Sequence, residues 1–224
     1  IPKDRGRSTQ NAREGLSEEV VHRALAVIDQ SSPENPWKNK HARARNELIF
    51  RLLHNLGIRR SEALILEVAD FNFRLNEVLI ARRPDDPTET RLDAPNAKTR
   101  DRLLPLSNEL ANMVRNYITK VRSQIPGARK HGKLLVATGT GSPLTKSAMN
   151  KIFVELRTRV PDLPDELHPH IMRHTWNDDF SKLMQEKKVS REDEVRMRNQ
   201  QMGWSENSKT AATYLNRFIR EEAN

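Results

Sequence analysis

Apolar residues at helical spacing are the feature that most constrains how this sequence can fold. The clearest case runs from about Lys40 to Leu56, where the apolar side chains fall on one helix face and Gly57 follows as the expected end. The apolar positions of this face are Leu48, Ile49, Leu52, Leu53 and Leu56. A helix with one apolar face buries it against other elements, so the pattern predicts a core built mainly from helices.

Further helical patterns lie on both sides of a short strand-rich section. The predicted helices span residues 17–30, a short segment from Ser61, and residues 108–121, 146–160, 169–185, 191–202 and 208–221. Strands are predicted at 77–82 and 102–106, with a weaker candidate at 90–94, a hairpin tip at 95–101 and a buried extended segment at 134–138. We therefore predict an α+β fold, mainly α-helical, with a small antiparallel three-stranded sheet on one flank.

The charge balance favours a polyanionic partner. The chain has 224 residues, with 39 Lys and Arg against 30 Asp and Glu, a net charge of +9 and a pI near 10.0. A basic surface gains free energy when it releases counterions from phosphates, although a merely soluble basic protein has the same balance. The sequence contains no cysteine, which excludes disulfides, thiolate metal sites and cysteine nucleophiles.

The ends and apolar runs of the sequence predict a cytoplasmic protein with no membrane partner. No apolar run approaches the ~18 residues of a membrane helix, and the first ten residues lack the apolar region of a signal peptide. Residues 1–15 are polar and basic, so we expect a flexible lead-in or linker there and one domain over residues 16–224.

The segment HPHIMRH at 168–174 can present three polar side chains on one helix face. His170, Arg173 and His174 lie at i, i+3 and i+4, which combines a proton-transfer group with a guanidinium fork suited to a phosphate. A solvated basic helix face, or a buried and hydrogen-bonded His174, would explain the same spacing. Zinc is disfavoured because no third ligand stands at a familiar spacing.

Two other segments carry side chains of possible chemical use. In GIRRSEALIL at 57–66, Arg59 lies at a helix–helix junction where Glu62 can hold it rigid, although exposed arginines in such turns are common. In MGWSENSKTAATYL at 202–215, Tyr214 is one of two tyrosines in the chain, and Trp204 precedes it by ten residues. A tyrosine hydroxyl becomes a useful nucleophile only when nearby cations favour the phenolate. Taken alone, an ordinary helix aromatic and a core tryptophan explain both.

The order of these segments resembles the tyrosine recombinases and phage integrases. That order is G-x-R-x-S-E, then H-x-x-R-H-T, then G-W followed by a tyrosine, and the resemblance covers the chain from about Ser17 to its end. The roles implied are phosphate binding for Arg59 and Arg173, the general acid for Lys98, acid–base chemistry for His170, an indole N–H donor for Trp204, nucleophilic attack giving a 3′-phosphotyrosyl link for Tyr214, and support for Glu62 and His174.

The resemblance also implies partners and leaves some departures. It implies double-stranded DNA as substrate, a tetramer on two DNA sites, a monomer without DNA, no cofactor or metal, and a separate N-terminal DNA-binding domain that this chain does not contain. Arg60 directly follows Arg59, Ile171 and Met172 replace the family's usual Asp-Leu pair, and the gap from Trp204 to the tyrosine is one residue longer than common.

Three other functions compete with the recombinase interpretation. A non-catalytic basic DNA-binding domain would have the same charge and fold. A type IB topoisomerase would share the chemistry but relax supercoils. An RNA-binding module is disfavoured, because aromatic residues make up only 5% of the chain and such modules stack bases on aromatic side chains.

Overall fold

The computed structural model describes residues 14–84, 86, 89–95 and 100–222, and within them the chain forms eight α-helices and a small sheet. The helices are α1 (Glu18–Ile28), α2 (Lys40–Leu56), α3 (Arg60–Ile65), α4 (Asn108–Asn116), α5 (Lys146–Arg159), α6 (Ile171–Glu186), α7 (Arg191–Met202) and α8 (Lys209–Glu222). The strands are β1 (Phe71–Asn72), β2 (Glu77–Ile80) and β3 (Arg102–Pro105). The α+β prediction with a three-stranded antiparallel sheet is confirmed.

The amphipathic segment that dominates the sequence forms α2, the central helix of the core. The Asn39 side chain caps its first turn by accepting the backbone N–H groups of His41 and Ala42. Its predicted apolar face is buried throughout and packs against α1, α4 and α6. The ring of Phe50 stacks on Phe153 of α5 at a centroid distance of 4.3 Å. Helix α2 therefore joins the first and last parts of the chain.

The sheet is antiparallel and three-stranded as predicted, but one of its strands was not predicted. Strands β1, β2 and β3 pair antiparallel in that order, with Val78 opposite Leu104. The expected strand at 90–94 is wrong, because Arg91 is buried there and its guanidinium Nη1 donates to the carbonyls of Leu64 and Leu144. The unpredicted strand is β1, whose two residues are too few to show the alternating pattern of a strand.

Helix α4 is shorter than its sequence pattern suggests. It ends at Asn116 and continues as a π-turn over Tyr117–Val121 and a 3₁₀ turn over Arg122–Gln124. The hydroxyls of Thr119 and Ser123 each donate to the carbonyl four residues earlier, which competes with the regular backbone ladder. The segment at 134–138 is buried as far as Val136, but it contains bends and one isolated bridge, between Val136 and Pro143, rather than the expected extended run.

The last three helices form a unit that packs on α2. Helix α6 contacts both α2 and α8, and α7 contacts α8 and β3. Gly203 ends α7 in the left-handed conformation, with φ of 65°, and turns the chain back toward α6. In the part of the chain that the structure describes, we find no helix with the length and apolar character needed to cross a membrane.

Candidate active site

Arg59 stands in the tight connection between α2 and α3. A Cβ atom at Gly57, where φ is +59°, would lie 2.6 Å from the Trp176 ring, so this connection requires glycine. The backbone N–H of Arg59 donates to Glu62 Oε2 at 2.7 Å, and Arg59, rather than the expected Ser61, is the N-cap of α3. Glu62 therefore fixes the backbone from which the Arg59 side chain projects.

Glu62 is the centre of a cluster of three arginines. Its side chain is fully buried, and both of its carboxylate oxygens accept hydrogen bonds from the Arg102 guanidinium at 3.1 Å. The guanidinium groups of Arg59 and Arg173 lie 3.7 Å and 3.9 Å from the same carboxylate. Three cations thus surround one anion, and this excess of positive charge favours an anionic ligand.

Arg173 is held rigidly at the bottom of this cluster. It is 2% exposed, and its Nη1 and Nη2 atoms donate to the carbonyls of Gly57 and Met202 at 2.6 Å and 3.4 Å. These carbonyls belong to the C-terminal ends of α2 and α7, where the helix dipole is negative. Burial, together with the neighbouring charge of Arg59, lowers the pKa of Arg173 to about 9. The guanidinium remains cationic at neutral pH.

The two adjacent arginines, Arg59 and Arg60, point to different surroundings. Arg59 Nη1 is buried and has no hydrogen-bond acceptor within the described residues, and burial lowers the pKa of Arg59. Arg60 instead donates to Asn150 Oδ1 of α5 at 2.7 Å. Both side chains line a groove of about 500 Å³ that also contains His170. A buried donor without an acceptor fits an oxygen-rich ligand entering this groove.

The two histidines of HPHIMRH lie together at the start of α6. The helix begins at Ile171 rather than at the predicted Pro169, and His170 is its N-cap residue, with a helical backbone. The rings of His170 and His174 are nearly perpendicular, with centroids 4.7 Å apart. His170 is exposed at the groove and His174 lies deeper, so the predicted shared face forms despite the later helix start.

Tyr214 reaches the same site from α8. Its hydroxyl oxygen lies 2.9 Å from His174 Nδ1, and its ring is nearly parallel to that of Trp204 at 6.0 Å. The guanidinium carbon of Arg173 lies 5.3 Å from the Trp204 ring centroid. Burial raises the pKa of Tyr214, while the positive charges of Arg173, Arg198 and Arg59 oppose that rise. The surroundings therefore combine a shielded hydroxyl with nearby cations that favour its phenolate.

One predicted site residue, Lys98, lies outside the described residues. The chain that follows it runs beside the site, because the N–H of Arg100 donates to the Gly203 carbonyl, next to Trp204, at 3.2 Å.

Sequence reasoning missed Arg102, although a charged side chain on an otherwise apolar strand, RLLP, is a signal for a buried ion pair. Within the described ranges, no three His, Asp or Glu side chains converge to hold a metal ion.

A family comparison covers nearly the whole chain. The model of the phage integrase family matches residues 15–219. Tyrosine recombinase XerC of Brucella melitensis biotype 1 is 28% identical over 154 residues, which is 69% of this chain and 42% of the relative. Tyrosine recombinase XerD of Staphylococcus haemolyticus is 24% identical over 143 residues, covering 64% of this chain and 43% of the relative. The chain thus spans less than half the length of these relatives.

Solved structures share the fold. The XerH site-specific recombinase, bound to its difH substrate in a pre-cleavage complex, matches with a TM-score of 0.65 and 20% identity over 95% of this chain and 53% of the other. The Tn1549 transposon integrase, in complex with circular intermediate DNA, matches with a TM-score of 0.64 and 17% identity over 94% of this chain and 64% of the other. This chain therefore belongs to the phage integrase family and has the catalytic-domain fold of the tyrosine recombinases.

Proposed function

We propose that this chain is the catalytic domain of a site-specific DNA recombinase that cuts and rejoins DNA through Tyr214. One observation carries the proposal: the hydroxyl of Tyr214 lies against His174, and the residue before it on α6, Arg173, belongs to the cluster of three arginines around Glu62. A nucleophile, proton-transfer groups and an unbalanced positive charge are what transesterification of a phosphodiester needs. The family membership and the DNA-bound relatives support the same substrate.

The arginine cluster would bind the phosphate that is cut. A phosphodiester carries one negative charge, and a second develops as the attacking oxygen approaches phosphorus. Arg59 and Arg173 supply guanidinium donors for this charge, while Glu62 and Arg102 hold them in place without neutralising the whole cluster. Trp204, next to Arg173, would add its indole N–H. These donors are fixed before the substrate arrives, so little reorganisation accompanies the reaction.

Bond formation and bond breaking can be assigned to the remaining residues. The Tyr214 oxygen attacks phosphorus, its proton leaves toward the His174 and His170 pair, and the bond from phosphorus to the 5′ oxygen breaks. The general acid that protonates the departing 5′ oxygen is Lys98 in this proposal, on the family resemblance alone. The resulting 3′-phosphotyrosyl link conserves the energy of the phosphodiester. Attack by another 5′ hydroxyl then restores DNA and frees Tyr214.

The proposal extends to assembly and location. The substrate is double-stranded DNA, and the active assembly is a tetramer on two DNA sites formed from chains that are monomeric without DNA. The protein would act in the cytoplasm of a bacterial cell, at the nucleoid. Light scattering with and without a duplex carrying two sites tests the assembly: a stable tetramer without DNA would contradict it.

Covalent trapping on DNA tests the chemistry. A nicked or 5′-bridging-phosphorothiolate duplex, built from candidate attachment sequences, should give a denaturation-resistant adduct with the wild type and none with Tyr214→Phe. Tyr117→Phe is the matched control, because Tyr117 is the other tyrosine of the chain and is 2% exposed in the core. An adduct in Tyr214→Phe, or its loss in both variants, would contradict the proposed nucleophile.

Two other functions remain as outcomes of further assays. A type IB topoisomerase would form the same adduct but relax a supercoiled plasmid without exchanging strands between synapsed duplexes. A non-catalytic DNA-binding domain would shift the duplex in a gel and give no adduct. The site argues against a non-catalytic DNA-binding domain, because DNA binding alone needs no histidine against a tyrosine hydroxyl. The residues concerned are Arg59, Arg173, His174 and Tyr214.

A further inference from the structure

A buried arginine from α7 lies beneath the Tyr214 ring and has no place in the site described above. Arg198 is 0% exposed, and its guanidinium carbon lies 5.8 Å from the centroid of the Tyr214 ring and 4.8 Å from that of Phe180. Both distances are within the range of cation–π contacts. The Tyr214 ring therefore has Trp204 stacked on it and a buried cation close to it.

The Arg198 side chain is fixed by polar groups of α6 and α7. Its Nη1 donates to the backbone carbonyl and the side-chain oxygen of Asn177 at 2.8 Å and 3.0 Å. Its Nη2 donates to Ser181 Oγ and to Glu194 Oε1, each at 2.6 Å. Ser181 in turn donates to Glu194 Oε1 at 3.0 Å. The guanidinium is thus held in one orientation relative to α6, the helix that also carries Arg173 and His174.

Stability alone gives a poor reason for this arrangement. A buried ion pair costs desolvation free energy, and replacing it with apolar residues of similar volume is often neutral or stabilising. The pair formed by Arg198 and Glu194 is almost entirely inside the protein, with side-chain exposures of 0% and 7%. What distinguishes the site is its contact with the ring of the nucleophile.

We propose that Arg198 is a positioning residue for Tyr214. The Arg198 guanidinium holds the phenol ring against Trp204, and its positive charge beneath the ring favours the phenolate. This inference rests on the proposed function, since it assigns Tyr214 as the nucleophile. Arg198 acts through Tyr214 and touches neither phosphate nor DNA in the proposed mechanism.

The electrostatic part of this role depends on the other charged groups around Tyr214. They are Arg59 before α3, Arg173 and His174 on α6, Arg198 with its partner Glu194 on α7, and Arg217 on α8. The Arg217 guanidinium carbon lies 5.8 Å from the ring centroid, and its guanidinium pairs with Asp178. Burial raises the pKa of Tyr214, and Arg198 is second after Arg173 among the cations that oppose the rise. Removal of the Arg198 charge therefore raises that pKa further.

The test removes the ion pair as a unit, because Arg198→Met alone would strand the Glu194 carboxylate. The Arg198→Met/Glu194→Leu variant should fold with a modestly lower melting temperature, because Asn177 and Ser181 lose a donor, and should form the Tyr214 adduct about tenfold more slowly in single-turnover trapping. Arg198→Lys keeps the charge and should recover part of the rate. Arg196→Met, on the exposed face of the same helix, should cleave as the wild type does.

A direct titration separates this inference from the proposed function. With [¹³Cζ]tyrosine, the two tyrosines give two signals, and Tyr214→Phe assigns them. The pKa of Tyr214 should be higher in the double variant than in the wild type, whether or not any DNA is cut.

Absence of an adduct from the wild type would overturn the proposed function but leave this measurement intact. A folded double variant with unchanged cleavage and unchanged Tyr214 pKa would overturn the role of Arg198. If that variant fails to fold, equal rates for Arg198→Lys and Arg198→Gln would overturn it.

Discussion

Two ion clusters in this molecule differ in their balance of charge. Around Glu62, three guanidinium groups share one carboxylate. Around Lys133, which is 2% exposed, the order is reversed: its ammonium group binds both Glu67 Oε1 at 2.9 Å and Asp86 Oδ2 at 2.6 Å. Arg83 adds a second cation to this cluster by pairing with Glu67 at 3.6 Å. Within the described part of the chain, the first cluster holds three cations and one carboxylate, whereas the second has a carboxylate for every cation.

The difference shows what each cluster can do. The Lys133 cluster ties Asp86, in the connection between β2 and β3, to the turn before β1, and its cations need no further partner. The Glu62 cluster has, among the described residues, one carboxylate for three guanidiniums, so a bound anion would reduce the repulsion between them. Charge imbalance, rather than burial of charge as such, therefore marks the site where a phosphate would bind.

Arg173→Lys should have the largest effect and would test whether the unmatched cluster is catalytic. A lysine ammonium cannot bind the carbonyls of Gly57 and Met202 and still present a planar fork to a phosphate. We expect single-turnover adduct formation to fall about a thousandfold, as when a transition-state donor is lost. Arg60→Lys, next to the cluster but bonded to Asn150, is the control and should lose far less. Equal losses in the two variants would remove the distinction.

Lys133→Met should reverse that pattern by affecting stability more than cleavage. It removes the ammonium group from between two half-buried carboxylates, Glu67 and Asp86, while Glu67 keeps its pair with Arg83. The free energy of unfolding should fall by about 2 kcal/mol. Urea unfolding measures this loss, and cleavage per folded molecule should fall far less than in Arg173→Lys. Lys146→Met breaks the more exposed pair with Asp93 and should cost below about 1 kcal/mol. A stable Lys133→Met protein with no cleavage would contradict the comparison.

The sequence predicts the first cluster better than the contacts inside it. The motif order brings Arg59, Arg173 and Tyr214 to one site, and the helix periodicity predicts α2, α5 and α7 to within a residue or two. The hydrogen bond between Tyr214 and His174 joins residues 40 positions apart, and no local pattern can specify it. It depends on how α8 packs across α6, which is decided by tertiary contacts.

Buried arginines explain most of what the sequence does not reveal. Arg91 occupies a predicted strand and turns it into a loop by bonding to two distant carbonyls. Arg102 is buried through Glu62, a carboxylate that only the fold brings near. Arg198 is buried through Glu194, four residues earlier on α7, a spacing that an exposed surface pair would share. Hydrophobic periodicity treats every arginine as a surface residue, so it fails where ion pairs replace apolar contacts in the interior.

Inorganic phosphate offers a test of the charge imbalance that needs no DNA. An anion that binds only the folded protein stabilises it by about 1–2 kcal/mol at ten to thirty times its Kd. Phosphate at constant ionic strength should therefore raise the melting temperature of the wild type. The rise should disappear in Arg59→Met, which loses the buried donor Nη1 that lacks a hydrogen-bond acceptor among the described residues, and persist in Lys133→Met. A rise that depends on Lys133 instead would locate the anion at the wrong cluster.

The smallest predicted effect concerns pH and the balanced part of the molecule. Glu89 accepts hydrogen bonds from the Arg91 side chain and backbone, at 2.7 Å for Nε and 2.9 Å for the N–H, and the side-chain bond holds the pKa of Glu89 below its usual range. A carboxyl group whose folded pKa is lowered contributes stability that is complete above its unfolded value and is lost as pH falls through the folded one.

Glu89→Gln should therefore cost about 1 kcal/mol of unfolding free energy at pH 7, and this cost should shrink steadily as pH falls below the ordinary pKa of a glutamate. Urea unfolding at pH 7, 5 and 3 measures the difference, with Glu109→Gln, an exposed glutamate of α4, as the control. A difference that stays constant with pH would mean that Glu89 acts through packing rather than charge. A decrease on acidification would show that the β2–β3 connection depends on matched charges, in contrast to the Glu62 cluster, where three described guanidiniums surround one carboxylate.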